Sequence, residues 1–117
     1  MHDLKKAIEN IAEGKNLFRT GNYSASRSAF ERAFFEMGYS SPSITSDFFD
    51  KNPLFFDAFL FICNTLLKDA AQTSNPREAI SYLGKAVTHL RVAHEYRPHD
   101  RELASIYYQV KKDYDNI

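Results

Sequence analysis

Between Ala12 and Ala33 the chain runs AEGKNLFRTGNYSASRSAFERA, two apolar-periodic stretches interrupted at Gly21-Asn22 and rich in small residues on both sides of the break. Before the break Leu4, Ala7, Ile8, Ile11, Leu17 and Phe18 recur at helical spacing, and after it Ala29, Phe30, Ala33, Phe34 and Met37 do the same. Gly21 suits the left-handed backbone that stops a helix, and Asn22 suits the cap of the next. A helix capped by Asp3 and ending near Arg19 is therefore expected to fold back on a helix from Tyr23 to Met37, which Gly38 terminates. Gly14 costs the first helix about 1 kcal/mol relative to alanine. That cost is tolerable where a neighbouring helix crosses too closely to admit a Cβ.

The rest of the chain continues in helices. Residues 38–53 include YSSPSITSDFFDKNP, a loop rich in Ser, Pro and Asp and long for a compact helical domain. Two readings of Phe48 and Phe49 stand side by side: rings pressed onto the core by a short turn that Ser46 caps, or a lid or docking knob. From Pro53 a strongly apolar helix extends to about Ala71, carrying Phe55, Phe56, Phe59, Leu60, Phe61, Ile62, Leu66 and Leu67 over so wide an arc that more than one side must be covered. Thr73-Ser74-Asn75-Pro76 makes the turn into a partner helix from Arg77 to about Tyr96. Pro98-His99-Asp100 then opens a last helix from Arg101 to about Tyr114, with Leu103, Ile106, Tyr107, Val110 and Tyr114 inward.

Composition narrows the function classes. The 117 residues suffice for one domain with a single core, and 15 basic against 15 acidic residues leave no net charge to draw the chain to nucleic acid. The N-terminus enters a helical pattern without a signal-peptide core, and Leu54 to Leu67 falls short of the ~20 apolar residues of a membrane span, so a cytoplasmic protein with no membrane partner is expected. Cys63 stands alone in an apolar run, as a buried, inert thiol does. His89, His94 and His99 are spaced by about 140° around a helix, which does not give the shared face of a helical metal pair. No metal, cofactor or catalytic constellation is expected, and the chain is not read as an enzyme.

Gly14, Leu17, Gly21, Tyr23, Phe30 and Ala33 together resemble the tetratricopeptide repeat, in which a first-helix glycine is followed by a large residue three later and by an A-x3-F pattern in the second helix. Asn10, Glu13, Ser26 and Gly38 stand where the repeat usually has tryptophan, leucine, alanine and proline. The helix from Arg77 fits the pattern in two registers seven residues apart, through Ala79, Leu83 and Ala86 and again through Ala86, Leu90, Ala93 and Pro98. It is expected as a repeat helix lengthened by two turns and projecting beyond a standard repeat. The resemblance implies an all-α domain: antiparallel hairpins over residues 3–37 and 54–97 and a capping helix over 99–115, stacked as a short right-handed superhelix of about five helices.

It also implies a concave groove lined by the first helix of each repeat, binding an extended peptide. Carried over by position, that groove takes Lys15, Phe18 and Arg19 from the first helix and Asn64 and Lys68 from the third long one, with Leu67 as the glycine position. With Tyr107 in that place in the last helix, Arg101, Tyr108, Lys111 and Lys112 join them. These contacts are basic, aromatic and amide in character and suit an acidic peptide or a terminal carboxylate. Ile11 and Lys15 occupy the positions where co-chaperones that clamp heat-shock protein tails carry lysine and asparagine. A non-enzymatic adaptor is the leading expectation. The alternative is a small chaperone for secreted or assembling subunits, or a self-associating scaffold with a homodimer among its forms, using Phe55, Phe56 and Phe59 as an exposed aromatic face.

Overall fold

The computed structural model describes residues 2–117. Six α-helices and a 3-10 turn at Ser41–Ser43 are present among these residues, and no strand: α1 Leu4–Arg19, α2 Tyr23–Glu36, α3 Phe48–Lys51, α4 Leu54–Gln72, α5 Pro76–Tyr96 and α6 Arg101–Asp115. The five long helices fall where periodicity and turn residues put them. Asp3 caps α1 by accepting from the Lys6 N–H at 3.0 Å, Asn75 caps α5 through the Arg77 N–H at 2.9 Å, and Asp100 caps α6 through the Leu103 N–H at 3.0 Å. Asn22 departs from expectation. Its amide donates to Thr20 Oγ1 at 2.9 Å and makes no cap bond to α2, while Gly21 does take the left-handed backbone, with φ +80°.

The side-chain pairings fix the helix directions. Arg27 of α2 meets Thr65 and Asp69 of α4, Phe30 meets Phe61, and Phe34 meets Phe59 and Phe55, so α2 and α4 are antiparallel. On α5, Tyr96 meets Phe56 and His89 meets Phe59, and on α6, Tyr107 meets His94 while Tyr114 lies against Gly84. The helices α1, α4 and α6 therefore run one way and α2 and α5 the other.

At Gly14 α1 packs tightly against α2. A Cβ added there would lie 2.8 Å from the tip of the Phe30 ring, which is fully buried and stacked on Phe61 at 5.2 Å. One turn earlier on α2, Ser26 is buried beside the same glycine and donates to its carbonyl at 2.7 Å. The small residues are thus spent on a close helix crossing, as the break in helix propensity at Gly14 anticipates.

The aromatic face of α4 is not exposed. Phe55, Phe56 and Phe59 are buried, because the segment between the two hairpins folds over them. Phe48 contacts Phe34, Tyr39 and Phe55, while Phe49 sits edge-on to Phe56 and Phe59, so these two rings belong to the core and form no lid or knob. Ser46 contributes through its backbone carbonyl, which accepts from the Phe49 N–H at 3.2 Å, and α3 has no side-chain cap bond. At 21 residues α5 is seven longer than the 14 of α2. Its last turn, however, does not project freely: Tyr96 closes on Phe49 and Phe56 and donates to the Phe49 carbonyl at 3.3 Å.

Two ionisable clusters, around Arg27 and at His89, lie within this interior. Arg27 lies 2.8 Å from Asp69, donates to Thr65 at 3.2 Å and stacks over Tyr82, joining α2, α4 and α5; its side chain is 14% exposed and that of Asp69 16%. His89 is buried against Phe59, and its Nδ1 lies 2.7 Å from the Lys85 carbonyl, which makes that nitrogen the donor and leaves Nε2 buried without a partner. Desolvation lowers the His89 pKa, opposed by its hydrogen bond to the Lys85 carbonyl and by the charge of Glu31, while the charges of Lys85 and Arg27 add to the lowering.

Gly14→Ala should cost about 1 kcal/mol, because overpacking of about 1 to 3 kcal/mol outweighs the propensity gain. In a Phe30→Leu background the same change should be neutral or stabilising, as read by urea midpoints at unchanged slope. For His89 the folded state favours the neutral ring, so its contribution is complete above the unfolded value of about 6.5 and is lost as pH falls below it. Thermal melting should accordingly drop from pH 7.5 to 5.5 in wild type, and less steeply in His89→Gln.

Candidate functional site

The solvent side of α4 presents Asp57, Phe61, Asn64 and Lys68, spaced three and four apart and so aligned on one face. On one flank lies α1. Lys15 Nζ reaches Asp57 Oδ2 at 2.9 Å and sits 5.7 Å over the Phe61 ring, and Phe18 meets Phe61 edge-on at 5.3 Å. Asp57 is well exposed and Lys15 about a third exposed, so the pair orients the lysine more than it stabilises the fold. Arg19 turns along its own helix and donates to Asn16 at 3.1 Å.

On the other flank, α4, α5 and α6 enclose a pocket of about 220 Å³. Its floor is Leu60, Cys63, Leu90, Leu103 and Ile106, and its rim is Asn64, Asp100 and Glu102. Burial pushes the Cys63 thiol pKa far up, which makes the sulfur an apolar lining atom and not a nucleophile. The candidate groove along the outward face of α4 is thus flanked by α1 on one side and by α6 on the other.

Five of the eight residues expected at the site, Lys15, Phe18, Arg19, Asn64 and Lys68, lie on α1 and on the outward face of α4. Arg101, Tyr108 and Lys111 do not join them. Ile106 faces the pocket, and Tyr108, two residues on and about 200° around the helix, faces away from it. There the Tyr108 hydroxyl lies 3.4 Å from His94 Nε2, Lys111 pairs with Asp115 at 2.8 Å, and Lys112 borders the same outer depression. The hydrogen bond from Lys111 to Asp115 raises the lysine pKa. Arg101, seven residues before Tyr108, shares its face. Tyr107 is turned inward, as the apolar stripe of α6 predicts, and stacks on His94 at 5.4 Å; the register taken from it is what put Tyr108 and Lys111 on the wrong side.

What α6 brings to the groove is instead Glu102, Leu103 and Ile106, with Asp100 just before it. The basic lining therefore does not assemble: Lys15 and Lys68 share the groove with Asp57, Asp100 and Glu102. Sequence reading missed these acids because the inward stripe of α6 spans a wide arc. The partial exposure of Ile106 beside buried Leu103, Tyr107 and Val110 marks which edge borders α4.

Among the described residues no group of three His, Cys, Asp or Glu side chains is placed to hold a metal ion, and no helix is long and apolar enough to cross a membrane. No protein-family model matches this sequence, and neither a curated protein nor a solved structure does.

Proposed function

We propose that this chain is a non-enzymatic protein-interaction module, a tetratricopeptide-like adaptor of the cytoplasm that holds an extended segment of another protein in the groove between α1, α4 and α6. The observation that carries the reading is the outward stripe of α4, exposed Asp57, Asn64 and Lys68 with half-buried Phe61 between them, flanked on both sides by helices that run parallel to it. Support for the repeat-like stacking comes from the residues of the resemblance themselves: Gly14, Ser26 and Phe30 meet one another at the crossing of α1 and α2. Such a surface reads a partner through side-chain contacts and needs no reacting group. An acidic residue of that partner fits beside Lys68, while the carboxylates at the α6 end disfavour a segment that is acidic throughout.

A second reading, assembly of the chain with itself or with an apolar client, rests on a different patch from the buried rings. Leu4 and Ile8 are 50% and 47% exposed on the α1 face that continues to Lys15, and Leu54 is 59% exposed one turn before Asp57.

Partner capture at low salt separates groove from outer face. Lys68→Glu or Asn64→Arg should weaken the captured partner by about tenfold, near 1.4 kcal/mol, with unchanged melting, while Lys111→Glu should not. Loss with Lys111→Glu alone, or with none of the three, would remove the groove reading. For self-assembly, sedimentation of the isolated chain should give a dimer that Ile8→Lys dissociates; a monomer at all concentrations sinks it.

A further inference from the structure

The pocket between α4, α5 and α6 carries two carboxylates that have no basic side-chain partner among the described residues. Among the described residues the ion pairs are Lys15 with Asp57, Arg27 with Asp69, Arg32 with Glu13 and Lys111 with Asp115; neither Asp100 nor Glu102 has a basic partner within 4.0 Å. Asp100 is held in place by its cap bond to the Leu103 N–H, which occupies Oδ1 and leaves Oδ2 free. The positive end of α6 offsets part of this charge but supplies no counter-ion. Beneath the carboxylates lie Leu60, Leu90, Leu103 and Ile106, and Asn64 closes the rim with an amide that can both donate and accept.

An apolar floor under an anionic rim discriminates strongly between occupants. An acidic side chain meets two like charges. A purely apolar one fills the floor but strips water from Asp100, Glu102 and Asn64 without replacing their hydrogen bonds, which is costly. A long cationic side chain satisfies both layers at once, its methylene stem on the leucines and isoleucine and its head between the carboxylates.

We propose that this pocket receives one arginine or lysine side chain of the bound protein segment. The assignment rests on the groove reading above and gives that groove a polarity: a cation-accepting pocket at the α6 wall, with Lys68 and the Lys15–Asp57 pair toward the α1 wall. A segment that fits both ends carries a basic residue on an apolar stretch, with any acidic residue placed toward Lys68.

The test uses the full chain and three small probes, N-acetylarginine methylamide, N-acetylnorleucine methylamide and N-acetylglutamate methylamide, titrated while the methyl resonances of Leu60, Leu90, Leu103 and Ile106 are followed by NMR. The arginine probe should shift these resonances saturably, and norleucine should bind about threefold or more weakly, with glutamate weakest of all. Glu102→Gln together with Asp100→Asn, which keeps a competent cap, should reduce the arginine affinity by about threefold or more and remove its salt dependence. Equal binding of norleucine and arginine, indifference to the double substitution, or no shift with any probe would overturn the assignment. The groove reading is judged separately: a partner lost on Lys68→Glu but kept on Glu102→Gln sinks only the cation pocket.

Discussion

The Phe30 ring sits between two helices that neighbour its own. Its tip presses on Gly14 of α1, where no Cβ intervenes, and its face stacks on Phe61 of α4. One side chain thereby sets the spacing of α1, α2 and α4, and that spacing lets Phe18 touch Phe61 and Lys15 touch Asp57. A larger residue at position 14 would move α1 outward and pull the wall of the groove away from its floor. The stacked ring thus links the core to the candidate site, and mean stability alone does not capture its role.

The interior is divided by chemistry. Around α3 and the first half of α4 it is almost wholly aromatic, with Phe34, Phe48, Phe49, Phe55, Phe56, Phe59 and Tyr96 in mutual edge and tilted contacts. Toward the other end of α4 the contact with α2 becomes polar, through Arg27, Thr65 and Asp69. Ring packing tolerates small rotations, whereas the arginine bridge demands alignment, so the polar end is the natural determinant of register between the hairpins.

Much of this was legible in the sequence, for identifiable reasons. Helices reveal themselves by local periodicity, and Asp3, Asn75, Asp100, Gly21 and Gly38 act on backbone within a few residues, so element boundaries could be read directly. The approach at Gly14 was legible because small residues in a helix interior carry a cost that calls for an explanation. Contacts between residues far apart in sequence were not. Nothing near Phe49 announces that Tyr96 will close over it, and the pairing of Arg27 with Asp69 has no periodic signature. The site shows the same division: α1 and α4 presented the expected residues, but on α6 the inward arc is wide enough for several facings. Tyr107 is inward as its stripe predicts, but contact with α5 turns Glu102 and Ile106 toward α4 in place of Tyr108 and Lys111.

The closure of Tyr96 on Phe49 alters how the chain can come apart. In arrays built only from nearest-neighbour contacts, end units can fray while the rest persists, and stability grows as a sum of local terms. Here a contact spanning 47 residues ties the segment before α4 to the far end of α5, so unzipping from the C-terminal side would also strip cover from the central aromatic cluster. The contact couples loss of the α5 end to disruption of the cluster around Phe49, which favours their unfolding together. The outward face of α4 is thereby tied to the integrity of the aromatic cluster beneath it.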